Sequence, residues 1–295
     1  MHCELLVPGL FSGNADGRFA ALELLLARAR RQRGAAQTME TWLKDAFELG
    51  DAAFPAGALT LLASGGDPGD SSWARADPAH LRVMRDHIAE APADALTLSQ
   101  AEADTLCEAL SRHFAGQLEV RACEPQHWCA RLPGDAPPGD ALLNEAQMLL
   151  HAHPLNEARE ARGELAINSL RLWGIGRAPR SAHCRWQSVA ADDPAVRGAA
   201  RLAGSGHRPL PRSAREWLER LPGDGRHLAL LDARQAPLAD LEQRWFAPLL
   251  SALRAGRVGM VTLHVPDGAE EVSFEAIRGD LRRFWRRAKP IEHYA

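Results

Sequence analysis

The segment at 151–176, HAHPLNEAREARGELAINSLRLWGIG, places polar side chains and closely spaced glycines around an apolar run. Proline restricts the residue before it, so His153-Pro154 should end one helix, and the Asn156 side chain should cap the next. Glycines let a backbone turn tightly, and amides in such a turn can bind an anion. Either the fold requires this turn, or it lines an anion pocket. The candidate residues of that pocket are His153, Asn156, Asn168, Trp173, Gly174 and Gly176.

A second polar segment, RADPAHLRVMRD, follows Trp73-Ala74 at 75–86. One interpretation is an exposed strand edge and a turn, in which the Asp77 carboxylate fixes its own backbone before Pro78. The other is that the segment faces a substrate cleft together with the 168–176 turn, so that both contribute to one concave region. The candidate binding residues of this segment are Asp77, His80, Arg82 and Arg85.

Carboxylates and a histidine late in the chain could hold at most one metal ion. Divalent metals need several carboxylate or imidazole ligands that converge from different elements. The first apolar run ends in Pro-Gly-Leu-Phe, which offers no ligand, and Ser12 follows it without a neighbour that could activate it. We therefore predict no dinuclear metal centre and no cofactor. The residual metal candidates are Asp232, Asp240, His264 and Asp267.

Composition restricts the class of protein further. The formal net charge is −3, which gives no overall attraction to nucleic acid or to an anionic membrane. Apolar runs are too short for a membrane span or a signal segment, so we expect a cytoplasmic protein. The five cysteines form no CxxC pair, which favours reduced thiols. Cys123, His127 and Cys129 could be metal ligands, but a β-hairpin with alternating side chains is the preferred interpretation.

Apolar runs alternate with helical patterns at both ends of the chain, which predicts an α/β fold with a mainly parallel sheet flanked by helices. We expect the main domain to comprise 1–72 and 136–295, with an α+β inset at 73–135. Helices are expected over 17–33 and 99–114, the latter beginning with a Ser99–Glu102 capping box. Strands of the main sheet are predicted near 4–8, 168–172, 228–232 and 258–264.

The last helix is predicted in the basic stretch LRRFWRRAK at 281–289. Its aromatic residues, Phe284 and Trp285, should pack inward while the arginines face solvent. The alternative is that this helix binds an acidic protein partner.

The 151–176 segment resembles the His-Pro-x-Asn-x-x-Arg … Asn … Gly-x-Gly segment of archaeal-type, cofactor-independent phosphoglycerate mutases, which belong to the alkaline phosphatase superfamily. Three further stretches extend the resemblance: WARADPAHLRVMRDHI at 73–88, LEQRWFAPLLSALRAGRV at 241–258 and FWRR at 284–287. With them, the chain looks more similar still to a bacterial family catalogued both as phosphoglycerate mutase-like and as RpfE-type regulatory protein. The resemblance runs nearly end to end and implies an alkaline-phosphatase-like fold.

The same resemblance implies two divalent metals and a serine nucleophile in the mutases, and here the chain departs from the pattern. The mutases' late strands should supply an Asp … His … Asp run and an Asp-His pair. This chain has Asp232 and Asp240 with no histidine between them, and Thr262-Leu263-His264 in place of Asp-His. We therefore expect a metal-site-lacking, non-catalytic relative with a binding or regulatory role. The alternative is an active phosphoglycerate mutase or phosphohydrolase with a divalent metal. The expected ligand is a small phosphorylated or anionic molecule, and a protein partner is the further alternative.

Overall fold

The computed structural model describes residues 1–12, 17–86, 88–92, 95–266 and 271–294. The strands are β1 (His2–Leu6), β2 (Arg30–Gly34), β3 (Ser72–Ala79), β4 (Leu81–Val83), β5 (Ile88–Glu90), β6 (Glu119–Glu124), β7 (His127–Leu132), β8 (Ser169–Gly176), β9 (Ser188–Ala190), β10 (Gly206–Arg208), β11 (Arg226–Leu230), β12 (Met260–Pro266) and β13 (Glu271–Ile277). The α-helices are α1 (Ala20–Arg28), α2 (Met39–Ala46), α3 (Ala56–Ala63), α4 (Gln100–His113), α5 (Asp140–His151), α6 (Pro154–Ala161), α7 (Pro194–Leu202), α8 (Ala214–Glu219), α9 (Leu238–Leu241) and α10 (Ala247–Ala255).

The chain divides into two compact units. The first comprises Met1–Glu48, Ala182–Asp193 and Ala200–Ala295, and the second comprises Leu49–Ser181 and Pro194–Ala199. The α+β inset expected at 73–135 lies within the second unit. That unit extends further in both directions because α3 and β8 also pack on β3, its central strand.

The first unit is built on a seven-stranded sheet with the order β10-β9-β11-β1-β12-β13-β2. The first five strands in this order run parallel to one another, while β13 and β2 pair antiparallel with their neighbours. On one face, alternate apolar residues such as Leu5 and Leu263 pack against the apolar sides of α1, α8 and α10. The predicted parallel pairing of the first strand with the strand near 228–232 is confirmed, and so is the mixed α/β class.

Two details of the first unit show how its helices begin and end. The residue before α1, Phe19, has no side chain that can cap the helix, and the Glu242 carboxylate accepts from Ala21 N (2.7 Å) and Leu22 N (3.0 Å) instead. Helix α10 ends at Gly256, which adopts φ +74°. A left-handed residue at this position favours glycine, as expected for the end of a helix.

The second unit contains a four-stranded antiparallel sheet with the order β6-β7-β3-β8, and a small β4-β5 pair. The predicted capping box is present at the start of α4, where Ser99 and Glu102 bond reciprocally. The predicted hairpin is also present as β6–β7. It carries Cys123 and Cys129 as free thiols with their sulfur atoms 3.3 Å apart.

The strand expected near 168–172 in the main sheet belongs to the second unit, so its predicted sheet was wrong. It is β8, and it pairs antiparallel with β3 through contacts such as Asp77↔Arg171. Its apolar residues Leu170 and Leu172 pack on the core of the second unit, against neighbours distant in the sequence. Sheet membership therefore depended on long-range pairing.

The helix expected over 17–33 ends at Arg28. Ala29 is extended at ψ 158°, and Arg30–Gly34 forms the edge strand β2. This stretch, RRQRG, has no apolar residue to pack on the sheet as a helix would. An edge strand tolerates such charged residues because only one of its sides is paired.

The basic helix expected at 281–289 is also absent. A single 3₁₀ turn at Asp280–Arg282 is followed by irregular turns, because the Asp280 carboxylate accepts from Ile277 N (3.1 Å) and pairs with Arg283 (2.7 Å). Phe284 and Trp285 do not pack inward. They are 78% and 66% exposed and lie edge to face on each other.

Within the described part of the chain, no helix has the combination of length and apolar character that a membrane span needs.

Candidate functional site

Polar side chains gather on the face of the first unit's sheet opposite α1 and α10. Glu4 on β1 is 1% exposed, and its Oε2 atom accepts from His264 Nε2 on β12 (3.1 Å) and from the Arg185 guanidinium (2.6 Å). On the other side of the imidazole, His264 Nδ1 lies 3.6 Å from Glu271 Oε1. Trp42 Nε1 donates to that same oxygen (2.9 Å). These five residues form what we name the Glu4–His264 cluster.

The surroundings of the cluster favour the charged forms of Glu4, His264 and Glu271. Burial by itself raises the pKa of Glu4, but the hydrogen bonds and charges of His264 and Arg185 outweigh burial and hold it at about 2. Burial lowers the pKa of His264, yet the neighbouring carboxylates of Glu271 and Glu4 outweigh burial and raise it. His264 in turn lowers the pKa of Glu271. The shifts favour an imidazolium ion between two carboxylates, with a guanidinium on the first of them.

This arrangement decides what His264 can do chemically. An imidazole binds a metal or takes up a proton through a neutral ring nitrogen. Both ring nitrogens of His264 face carboxylates instead, and the raised pKa favours the protonated ring. The residues present therefore do not fit a metal ligand at this position.

The carboxylates predicted as residual metal ligands lie elsewhere. Asp232 is bound by Arg234 through both oxygens (Nε 2.8 Å, Nη2 2.7 Å) and also accepts from Gln235 (3.2 Å). Asp240 is exposed in the first turn of α9. Asp267 lies outside the described residues. In the ranges that are described, no group of three or more His, Cys, Asp or Glu side chains is arranged to hold a metal ion.

In the second unit, the predicted residue Asp77 belongs to a buried network on β3. Its Oδ1 atom accepts from Arg75 Nε (2.9 Å) and Nη2 (2.6 Å), and its Oδ2 atom accepts from Trp173 Nε1 (2.7 Å). Arg75 also lies 5.1 Å above the Trp173 ring and donates to Thr60 (3.3 Å). All of β3 is buried between β7 and β8, so the interpretation as an exposed strand edge was wrong.

The other polar residues of that segment lie where β3 ends. His80 Nδ1 donates to the Ala166 carbonyl (2.7 Å), which leaves Nε2 to accept from Arg82 (3.2 Å). Asn168 forms a two-way bond with the Leu81 backbone, at 2.8 Å to its N–H and 2.9 Å to its carbonyl. Arg85 is exposed in the bend after β4.

Asn156 does not cap a helix as the sequence suggested. Pro154 occupies the first helical position of α6, so His153 is the cap, and its Nδ1 atom accepts from Leu155 N (3.2 Å). Asn156 falls in the first turn, where its amide donates to the carbonyls of Leu150 (2.7 Å) and Ile167 (2.8 Å) and accepts from Ile167 N (2.8 Å). It ties α5 to the start of β8.

The two glycines of β8 allow α3 to lie close against the strand. Gly174 has φ +58°, and a Cβ atom there would lie 2.4 Å from the Cβ of Ala56. A Cβ on Gly176 would lie 3.0 Å from that of Pro55. This packing supports the interpretation as a turn that the fold requires, while anion binding by these amides stays a prediction.

The structure thus joins Asp77 directly to Trp173. It places His80 and Asn168 a few residues along the same strand pair, where Ala79 opposes Ser169. A common ligand pocket for these residues stays a prediction. Sequence patterns did not identify four residues of these networks: Arg75, Glu4, Arg185 and Glu271. The signal for Glu4 was present, because a carboxylate inside an apolar run is buried only when it is paired.

No protein-family model matches the sequence, and no curated protein matches it. Among solved structures, the chain is similar to the PH0037 protein from Pyrococcus horikoshii, with a TM-score of 0.57 and 14% identity over 93% of this chain and 87% of that one. A cofactor-independent phosphoglycerate mutase from Thermoplasma acidophilum DSM 1728 gives a TM-score of 0.47 and 16% identity over 94% of this chain and 90% of that one. The similarity to the Pyrococcus protein shows a shared fold: a mainly parallel sheet flanked by helices, with an added antiparallel sheet.

Proposed function

We propose that this chain is a non-catalytic relative of the cofactor-independent phosphoglycerate mutases, and that it keeps their fold for a binding or regulatory role. The relationship rests on the sequence resemblance of the 151–176 and 73–88 segments. The observation that supports the loss of catalysis is the position of His264, whose two ring nitrogens face the carboxylates of Glu4 and Glu271.

The physical argument concerns the charges around the remaining ligand candidates. Two divalent ions need anionic or neutral imidazole ligands to replace their water. Here the Asp232 carboxylate is occupied by Arg234, and the Glu4 carboxylate by Arg185 and His264. A metal at either carboxylate would have to displace a guanidinium and would be repelled by it. The donor set present therefore does not fit the mutases' metals.

The proposal is tested on the purified full chain with added Mn²⁺, Mg²⁺ or Zn²⁺. The measurements are interconversion of 3- and 2-phosphoglycerate, hydrolysis of an aryl phosphate, and metal content by elemental analysis. We expect no stoichiometric metal and no turnover above that of a His264→Gln, Asp232→Asn double variant prepared in the same way. Tightly held metal, with chelator-sensitive turnover that the double variant lacks, would overturn the proposal in favour of an active mutase or phosphohydrolase.

A further inference from the structure

A cavity of about 540 Å³ opens in the first unit beside β2 and the C-terminal segment. Its inner lining is apolar and consists of the buried side chains of Leu26, Phe274 and Tyr294. Its rim is cationic, because four arginines line it: Arg30, Arg31, Arg283 and Arg286. The sequence resemblance reaches this cavity only through Arg286, in the FWRR stretch, and no residue of the Glu4–His264 cluster lines it.

Two of the rim arginines are held in place by the end of α1. Arg283 Nη1 donates to the Arg28 carbonyl (3.3 Å) and Arg286 Nη1 to the Ala29 carbonyl (3.0 Å). Closing the end of a helix in this way uses one N–H of each guanidinium, and each group has five. These bonds anchor both guanidinium groups beside the cavity.

The other two rim arginines do not serve the helix end. Arg30 is exposed on the edge strand, and Arg31 lies 5.6 Å from the centre of the Phe274 ring. Two described carboxylates lie at this rim: Asp280 pairs with Arg283 (2.7 Å), and Glu275 lies opposite Arg30 in the strand register. Four guanidinium groups thus line one cavity.

We propose that this cavity binds a small organic phosphate. Its phosphoryl oxygens accept hydrogen bonds from the arginine rim, because the planar guanidinium matches the spacing of phosphate oxygens. Its apolar part lies against Phe274 and Tyr294. The volume is within the range of small-molecule sites, about 300–1,000 Å³. This site does not depend on the proposed loss of catalysis, since no residue of the Glu4–His264 cluster lines it.

The experiment is calorimetric titration of the full chain with two organic phosphates, ATP and phenyl phosphate. Adenosine and inorganic phosphate serve as the separate halves of such a ligand. The variants Arg30→Gln and Arg286→Gln remove rim donors. Their matched controls, Arg33→Gln and Arg287→Gln, remove exposed arginines of the same two segments that do not line the cavity.

We expect saturable binding of at least one organic phosphate, weakened about tenfold or more by each rim variant and by less than about twofold by each control. Arg30→Gln keeps the test valid if Arg286→Gln disturbs the end of α1, because Arg30 is exposed on β2. Three results would each overturn the proposal. These are no saturable binding of either organic phosphate, an equal loss in rim and control variants, or binding of inorganic phosphate as tight as that of phenyl phosphate.

Discussion

Glu4 carries a negative charge into the middle of the first unit's sheet, and two cations hold it there. A carboxylate in this position is stable only if its partners offset the loss of hydration. His264 and Arg185 do so, each by a direct bond to Oε2. The Glu4 and Glu271 carboxylates also raise the pKa of the imidazole, which favours its protonated form. One buried carboxylate thus binds both the imidazole and the guanidinium of the cluster.

We expect Glu4→Gln to lower the free energy of unfolding by about 3 kcal/mol, measured in urea near pH 6. The low pKa of Glu4 stabilises the folded state above the ordinary value of 4.5, and this contribution is lost as the pH falls towards about 2. At pH 6 the contribution of the ionised Glu4 to stability is therefore complete. Glu219→Gln, on the exposed end of α8, is the control and should change little. Equal losses in both variants would contradict the assignment.

His264 gives the opposite pH dependence. Its pKa is raised above 6.5 in the folded state, so its contribution is fully present below 6.5 and disappears as the pH rises through the folded value. We expect the difference in unfolding free energy between the natural chain and His264→Gln to shrink as the pH rises above 6.5. Burial lowers the pKa values of His2 and His227. Their contributions to the pH dependence cancel in the comparison, because both proteins contain these residues. A difference that stays constant over this range would show that the ring is neutral throughout.

At the scale of elements, α3 approaches β3 so closely that one helical position has no room for a side chain. A Cβ atom on Gly57 would lie 2.4 Å from the carbonyl carbon of Ala74. Backbone cannot move aside as a flexible side chain can. The contact therefore fixes how the helix lies on the second unit's sheet.

We expect Gly57→Ala to reduce the free energy of unfolding by about 2–3 kcal/mol, through overpacking. In an unhindered helix the same change would stabilise the protein by about 1 kcal/mol. The sign of the change in unfolding free energy therefore distinguishes a crowded position from an open one. Gly134→Ala is the control, because a Cβ there would meet nothing within 4 Å. Denaturant titration of both variants makes the comparison, and a stabilised Gly57→Ala variant would disprove the close approach.

Local patterns predicted the elements that depend on local chemistry. The capping box at Ser99 needed only a residue three positions away, and the parallel core strands needed only apolar runs of the right length. The strand Arg30–Gly34 could not be recognised, because it exists only through pairing with β13. For the same reason the strand at Ser169–Gly176 was assigned to the wrong sheet, since its partner β3 lies far away in the sequence.

Prediction of the candidate site was limited in the same way, because several of its contacts join residues that are distant in the sequence. Asp77 and Trp173 were expected to lie close together, and a direct bond joins them. Arg75, which holds the other carboxylate oxygen of Asp77, was passed over because nothing local distinguishes it from a surface arginine. The roles of Glu4, whose burial the sequence did signal, and of Glu271 were missed for a related reason. Their role depends on a histidine that the fold, and not the sequence spacing, brings between them.

At the scale of the whole molecule, the described residues hold their fold together through apolar cores and internal ion pairs. We therefore expect a strong chelator to leave the thermal and urea midpoints of the chain unchanged, because no ligand would be lost from the native state. The control is the same titration after incubation with excess Zn²⁺ and its removal. A midpoint that falls with chelator and recovers with metal would reveal a structural ion and contradict this expectation.

The two ends of the first unit's sheet differ in length and charge. At one end β10 has only three residues, and at the other β2 exposes one side of RRQRG. Open strand edges invite pairing with another copy, which leads to aggregation. Two β2 edges brought together would oppose arginines to arginines, so like charges resist that pairing. High salt, which shortens the screening length to about 3 Å at 1 M, would remove this protection and make the chain less soluble.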